Sequence, residues 1–302
     1  MDCKMSSNDK IDISNQVHFL TKITVNDILR KKNEGSRIAM ITAYDYCMSR
    51  ICDCADIDII LVGDSAATVM QGYKNTRKIT MEEMLMFCRG VSNGTKRALI
   101  VGDMPFGTYQ TGMDNAVDNA VKFMRTGCDA IKLEGGVEVL SIVKRLTEMG
   151  IPVMGHIGLK PQTTSLTRGF ESHGATADEA VKLIEESKAL EEAGAFAIVL
   201  EKVTTEVAEI ITSQSHIPII GIGSGPMIDG QVLVLHDLLG LYNEFNPKFI
   251  KRYLDLSKLI GKAVTQYCSE VREGIFPNEA HTYHMPKVEK EKLQKIVGRQ
   301  QH

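Results

Sequence analysis

Acidic side chains and one histidine stand at the ends of short apolar runs in this sequence. Asp64 follows IILVG, Asp103 follows ALIVG, Glu134 follows AIKL, His156 follows VMG and Glu201 follows AIVL. The four acids are separated from one another by one, one and two strand–helix units, each of roughly 30 or more residues. A single strand-end acid is commonly only a helix N-cap or a loop hydrogen-bond acceptor. Several acids in register indicate a shared site.

Converging carboxylates without matching positive charge would repel one another and raise one another's pKa. A hard divalent cation relieves that repulsion, because Mg²⁺ favours oxygen ligands and keeps open positions for water or substrate. The acidic set therefore predicts a Mg²⁺ site.

Three further residues each have two chemical interpretations. Lys132 lies two residues before Glu134 and shares its face of the strand, so it either pairs with a substrate carboxylate or forms a structural ion pair with a neighbouring acid. His156 is either a pocket residue or a core histidine bonded to the backbone. Ser65 lacks the complete G-x-S-x-G turn and a compelling base, which argues against a serine hydrolase.

Eight apolar runs alternate with amphipathic segments from about residue 24 onward. They are residues 38–45, 57–65, 98–106, 130–136, 153–159, 197–203, 218–225 and 231–240. Continuous aliphatic runs are typical of parallel strands covered on both faces, although the last run is equally able to open a helix. The pattern predicts an α/β fold, a TIM (β/α)8 barrel with its site at the carboxyl ends of the strands. The glycine-rich 219–226 lacks the full dinucleotide-binding pattern, which favours a tight turn beside the pocket.

The predicted organisation is a flexible N-terminal arm (1–23), one barrel domain (24–284) and a charged C-terminal tail (285–302). Thr80 and Glu83 have capping-box spacing for a helix, and a C-terminal helix is predicted over 247–272. A net charge of −3 argues against nucleic-acid binding, and the apolar runs are too short to cross a membrane. The N-terminus lacks a secretory signal, so we expect a cytoplasmic protein, with a mitochondrial address left open.

The motifs ITAYD (41–45), VGDS (62–65), GDMPF (102–106), IKLEGG (131–136) and GHIGLKPQ (155–162) stand in this order along the chain. They are followed by LEKV (200–203), IPIIGIGSG (217–225), DGQVLVLHD (229–237) and FPNEAHTYH (276–284). Together they resemble the ketopantoate hydroxymethyltransferase family, a TIM barrel of the phosphoenolpyruvate/pyruvate superfamily.

The resemblance implies a small-molecule 2-oxoacid and a reduced folate as substrates. A hydroxymethyl group would pass from 5,10-methylenetetrahydrofolate to 3-methyl-2-oxobutanoate through a Mg²⁺-stabilised enolate, in pantothenate and coenzyme A biosynthesis. It also implies a homodecamer. Carried over by motif, the residues have three roles. Asp64, Asp103 and Glu134 are metal ligands, Asp64, Ser65, Asp103, Lys132 and His156 contact the substrate, and Glu201 is the general acid/base.

Two other functions compete with this one: a related Mg²⁺-dependent C–C lyase or mutase on the same barrel, and an inert metabolite-binding barrel. The cysteine motif typical of the lyases, KKCGH, is missing from this chain. The chain departs from the family pattern at Ala66-Ala67, Arg77-Lys78, Arg168, His173 and Ala175. These positions lie in loops that we expect to cover the pocket.

Overall fold

The computed structural model describes residues 21–163, 172–243 and 247–298. Eight parallel strands close into a barrel in which each strand pairs with the next and the last pairs with the first. The strands are β1 (Ile38–Thr42), β2 (Ile59–Val62), β3 (Leu99–Asp103), β4 (Ala130–Glu134), β5 (Val153–Gly158), β6 (Ala197–Glu201), β7 (Ile219–Ile222) and β8 (Gly230–Leu233). The predicted TIM barrel is confirmed.

Helices alternate with these strands. They are α1 (Val25–Asn33), α2 (Tyr46–Cys54), α3 (Ala66–Val69), α4 (Met81–Gly94), α5 (Met113–Arg125), α6 (Leu140–Glu148), α7 (Ala177–Glu192), α8 (Thr205–Gln214) and α9 (Leu235–Leu238). The predicted capping box is present at α4, where the Thr80 side chain accepts from the Glu83 N–H and the Glu83 carboxylate accepts from the Thr80 N–H.

Two apolar layers enclose the strands. The outer layer lies between the barrel and its helices, and the inner one fills the lower barrel. Ile28 of α1 belongs to the inner layer and is completely buried. A helix outside the sheet thus also contributes a side chain to the core of the barrel. Because strand side chains alternate in direction, the same inward rows that are apolar below end in polar groups above. Along β3, for example, Leu99 and Val101 lead to Asp103.

Several predicted strands were wrong at their carboxyl ends, where the structure ends them sooner. The first was predicted to reach residue 45 but stops at Thr42, because the Asp45 side chain accepts from the Met48 N–H and caps α2. The second stops at Val62, which leaves Asp64 in the turn that leads into α3. The last run forms both a short strand, β8, and a short helix, α9, so each alternative describes half of it.

The chain forms two compact units, with the boundary between Tyr253 and Leu254. The second unit contains α10 (Leu256–Arg272) and α11 (Lys287–Gly298). The predicted C-terminal helix therefore starts later than Pro247, whose carbonyl instead accepts from the Ile250 N–H in a turn. The predicted arm lies outside the described residues up to position 20, and so do the last four residues of the tail. No helix within the described ranges is long and apolar enough to cross a membrane.

Candidate active site

A cavity of about 120 Å³ opens at the carboxyl ends of the strands. The sequence-predicted site residues all contribute to its lining: Asp64, Ser65, Asp103, Lys132, Glu134, His156 and Glu201. Strand register explains the convergence, since Asp103 pairs with Lys132 across β3 and β4, and Glu134 pairs with His156 across β4 and β5. The volume is well below the roughly 300–1,000 Å³ of drug-sized sites, so the cavity suits a small molecule.

Lys132 and Asp103 form a buried ion pair at the centre of the cavity. Lys132 Nζ lies 2.6 and 2.7 Å from the two carboxylate oxygens of Asp103, and the Asp64 N–H also donates to Asp103 Oδ2 at 3.1 Å. Burial disfavours the charged amine, but the surrounding carboxylates outweigh burial and raise the pKa of Lys132. Of the two interpretations of this lysine, the structure therefore contains the ion pair with a neighbouring acid.

The other two acids of the cluster each present a buried oxygen without a hydrogen-bond partner. These atoms are Asp64 Oδ2 and Glu134 Oε1. Burial raises the pKa of Asp64 to about 8, and the negative charges of Asp103 and Glu134 act in the same direction. Burial also disfavours ionisation of Glu134, but His156 and Lys132 hold the pKa of this carboxyl below its ordinary value. One buried carboxyl thus tends to keep its proton while its neighbour is ionised.

His156 stands between two carboxylates. Its Nδ1 lies 3.3 Å from Glu134 Oε1 and its Nε2 lies 3.3 Å from Glu201 Oε2, but neither contact has hydrogen-bond geometry. Burial lowers the pKa of His156, and so does the Lys132 amine. The two carboxylates outweigh both effects and raise that pKa to about 9. The ring has no backbone partner within the described ranges, so the core-histidine interpretation was wrong and the pocket interpretation is the one that the geometry supports.

Ser65 is oriented by a tyrosine and not by a base. Its Oγ lies 2.8 Å from the hydroxyl of Tyr44, a buried residue at the end of the ITAYD motif. Burial raises the pKa of Tyr44, so this phenol does not withdraw the proton that a serine nucleophile must lose. The geometry agrees with the sequence-based exclusion of a serine hydrolase.

A sequence profile of the ketopantoate hydroxymethyltransferase family matches residues 22–279. The chain belongs to this family. The 3-methyl-2-oxobutanoate hydroxymethyltransferase of Nitrosopumilus maritimus (strain SCM1) is 46% identical over 275 residues, covering 91% of this chain and 99% of that protein. The enzyme of the same name from Nitratidesulfovibrio vulgaris (strain DP4) is 51% identical over 262 residues, covering 86% of this chain and 85% of the relative. The protein is accordingly a transferase.

Solved structures agree on the fold. Phosphonopyruvate hydrolase, in a complex with oxalate and Mg²⁺, has a TM-score of 0.56 at 13% identity and covers 92% of this chain and 96% of its own. 2,3-Dimethylmalate lyase, a member of the PEP mutase/isocitrate lyase superfamily, has a TM-score of 0.54 at 14% identity and covers 92% and 100%. At such identities the likeness concerns the barrel alone, so it does not favour a lyase or mutase activity.

Two residues that sequence reasoning missed hold Glu134 in this hydroxymethyltransferase-family barrel. The Gln162 N–H donates to Glu134 Oε2 at 3.0 Å, and the Gln162 side chain accepts from the Tyr109 hydroxyl at 3.0 Å and donates to the Met104 carbonyl at 3.1 Å. The Tyr109 hydroxyl in turn accepts from the Glu134 N–H at 3.2 Å. Both residues are almost fully buried. The sequence signal is a glutamine four residues after β5, in GHIGLKPQ, where solvent exposure is the ordinary expectation.

The glycine-rich segment after β7 is a tight turn beside the pocket, as predicted. Gly223 and Gly225 adopt positive φ angles of 69° and 86°. Between them, Ser224 is buried, and its Oγ donates to the Leu200 carbonyl at 2.8 Å and accepts from the Val203 N–H at 3.1 Å. The serine thereby brackets Glu201 on β6 and fixes the backbone on both sides of that carboxylate.

The residues at which this chain departs from the family pattern differ in their burial and in their contacts. Ala66 and Ala67 are completely buried in α3, directly behind the cavity wall. Arg77 reaches across the mouth and donates from Nε to the Gln162 carbonyl at 2.8 Å. His173 precedes α7, and its N–H donates to the Lys202 carbonyl at 2.7 Å. Arg168 lies outside the described residues.

The donor chemistry of the cavity fits a divalent cation, but the ligands are not yet assembled around one point. Within the described ranges, no three His, Cys, Asp or Glu side chains form a ready metal-binding group. Asp64 Oδ2 and Glu134 Oε1 are buried oxygens without hydrogen-bond partners, as an oxygen-liganded cation requires. The third acid, Asp103, is bonded through both of its oxygens to the Lys132 amine.

A larger groove of about 530 Å³ lies between α7 and α8 on the outside of the barrel. Within this groove the Glu191 carboxylate accepts from the Ser215 hydroxyl and from the His216 N–H. None of the predicted site residues lines it. The predicted site residues therefore mark the smaller cavity as the candidate site.

Proposed function

We propose that this protein transfers a hydroxymethyl group from 5,10-methylenetetrahydrofolate to 3-methyl-2-oxobutanoate, giving 2-dehydropantoate (ketopantoate) in pantothenate and coenzyme A biosynthesis. The family match over residues 22–279 is the observation that carries this proposal. The convergence of all the motif-derived site residues on one small cavity supports it.

The cavity offers complementary walls to a branched 2-oxoacid. One wall carries Lys132 and Ser65, a cation and a hydroxyl that suit the carboxylate of the substrate. Val199, Ile222 and Val232 also line the cavity, and their apolar side chains suit the branched carbon end of the substrate. Folate is far too large for this volume, so the pterin must approach from the mouth, where Thr76 and Pro161 also line the opening.

Asp64, Asp103 and Glu134 are the residues that we assign to Mg²⁺. Bound beside the oxoacid, the cation supplies Lewis-acid polarisation of the keto group, which acidifies the adjacent C–H. The chain itself prepares this site, because the Tyr109–Gln162 pair holds Glu134 and the Asp64 N–H holds Asp103. If Asp103 also held the cation, its contacts with Lys132 would loosen and the amine could reach the substrate carboxylate, so the two interpretations of Lys132 would describe the metal-free and the loaded site.

Glu201 is the group that we assign to proton transfer. It ends β6, its side chain is 17% exposed, and its Oε2 faces His156 Nε2. Partial exposure leaves a route for proton exchange with solvent, as a residue that transfers a proton to or from the substrate requires. His156 orients Glu201 on one side and Glu134 on the other.

The direct test is an assay of purified protein with oxoacid, methylenetetrahydrofolate and Mg²⁺, with and without chelator. We expect Mg²⁺-dependent ketopantoate formation, and Mg²⁺-dependent exchange of the substrate C3 proton for deuterium without folate. Glu201→Gln should lower turnover by at least 100-fold, whereas Glu206→Gln, at an exposed position of α8, should leave it unchanged. Oxoacid binding without C3 exchange would point to an inert barrel, and turnover of phosphonate or isocitrate-like acids without folate to a lyase or mutase.

The proposal also covers the oligomeric state of the protein and its cellular compartment. We infer a cytoplasmic homodecamer from the family resemblance. Light scattering coupled to size-exclusion chromatography would measure the assembly, and a monomer at working concentration would contradict it. Fluorescent tagging in the source cell would check the compartment.

A further inference from the structure

Thr76 contributes a buried hydroxyl to the cavity that no role described above uses. Thr76 lines the cavity, and its Oγ1 is shielded from solvent and has no hydrogen-bond partner. The other lining hydroxyls are engaged: Thr42 Oγ1 accepts from the Leu235 N–H at 3.1 Å, and Ser65 Oγ is 2.8 Å from Tyr44. Within the described part of the lining, Thr76 thus has the one side-chain hydroxyl that neither donates nor accepts a hydrogen bond.

The backbone of Thr76 is held in place from both sides. Thr76 begins a single turn of 3₁₀-helix (Thr76–Lys78), in which the Asn75 side chain accepts from the Arg77 N–H at 3.2 Å. Arg77 then donates from Nε to the Gln162 carbonyl at 2.8 Å and from Nη2 to the Thr163 carbonyl at 3.2 Å. The segment that carries Thr76 is therefore tied to the residue that holds Glu134, so the hydroxyl and the acidic cluster form one framework.

A buried hydroxyl without a partner is unfavourable in water-free surroundings, and a ligand oxygen would relieve that cost. The cavity is short of such partners for an anion. Its acids repel a carboxylate, and the Lys132 amine is bonded to both oxygens of Asp103. A neutral hydroxyl donor costs nothing in charge repulsion, and threonine can rotate its proton toward whichever oxygen is in reach.

We propose that Thr76 Oγ1 is a substrate-binding group that donates a hydrogen bond to an oxygen of the 2-oxoacid. The proposal rests on the proposed function, because it takes the 2-oxoacid to be the occupant of the cavity. It assigns a third donor to the substrate, beside Ser65 and Lys132, and brings that donor from the segment after α3.

The test compares oxoacid binding by Thr76→Val, Thr76→Ser and Thr95→Val, measured calorimetrically with 3-methyl-2-oxobutanoate and Mg²⁺ in the absence of folate. Valine keeps the shape of threonine but lacks the hydroxyl, and we expect it to weaken binding about 3- to 10-fold. Serine keeps the hydroxyl and should bind within about twofold of the wild type. Thr95 is the matched control, since its Oγ1 is also buried without a partner but lies at the end of α4, outside the cavity lining.

The outcomes separate the two proposals. Unchanged affinity in Thr76→Val, an equal loss in Thr76→Ser, or an effect confined to the folate KM would each overturn the role of Thr76 while the proposed function stands. Failure of the wild type to bind the oxoacid would overturn the proposed function and this role with it. Thermal melting of the ligand-free variants keeps folding apart from binding, because removing an unpaired hydroxyl should leave the Tm of both valine variants equal to or above that of the wild type.

Discussion

Replacement of Lys132 by methionine is the sharpest probe of the charge balance in the cavity. Methionine keeps much of the length of the side chain but removes the amine that contacts both oxygens of Asp103, in a pair whose side chains are 4% and 1% exposed. Removing one partner of a buried ion pair costs about 3–5 kcal/mol, because the remaining charge is left uncompensated. We expect a loss of this size in the free energy of unfolding of metal-free protein.

The pH dependence of that loss follows from Asp103. Burial raises the pKa of Asp103 and the Lys132 amine opposes this shift, so the variant should raise the pKa further. Protonation neutralises the uncompensated charge, so the destabilisation should shrink as the pH falls. Added Mg²⁺ should restore part of the stability, since a cation that binds only the folded state stabilises it by mass action.

Urea unfolding in chelator at several pH values measures the effect, and Lys160→Met is the matched control. Lys160 Nζ lies 2.8 Å from Glu138 Oε1, but these side chains are 24% and 53% exposed. Such a partly exposed pair is worth about 1 kcal/mol or less. Equal stability losses in the two variants, or a Lys132→Met loss that does not depend on pH, would refute the argument that Lys132 neutralises the buried acids.

Three further predictions concern the same cavity. Mg²⁺ binding at pH 7 should release a proton, because the pKa of Asp64 is about 8 in the metal-free protein. Calorimetry in two buffers of different ionisation enthalpy measures this proton release, and equal heats of binding in the two buffers would exclude it. Tyr44→Phe should raise the oxoacid KM about 3- to 10-fold in the wild type but not in a Ser65→Ala background, since the phenol acts through the serine. The control is Tyr73→Phe, which loses a hydrogen bond to the carboxylate of Glu83 outside the cavity. The folded-state pKa of His156 is about 9 against an ordinary 6.5, so its stabilisation is complete below pH 6.5 and lost as the pH rises through 9; a urea midpoint of chelator-treated protein that stays constant over this range would contradict it.

Much of this site follows from local sequence and the geometry of parallel barrels. Continuous aliphatic runs indicate strands covered on both faces, and a closed barrel brings the carboxyl ends of all its strands to one mouth. Acids that end those runs must therefore converge, as Asp103 and Glu134 do. The capping box at Thr80 and Glu83 is equally local, because both of its hydrogen bonds lie within one helical turn.

Local sequence patterns do not predict which distant segments come into contact. The period of a strand specifies which face Lys132 occupies, but the cross-strand register decides that its partner is Asp103. Gln162 and Thr76 lie in loops, where no periodicity predicts direction, and only chain packing turns them toward Glu134 and the cavity. Side-chain types and spacing determine which chemistry is available at the mouth of the barrel. Long-range packing determines which donors and acceptors meet there, because those pairings join residues that the chain separates by whole strand–helix units.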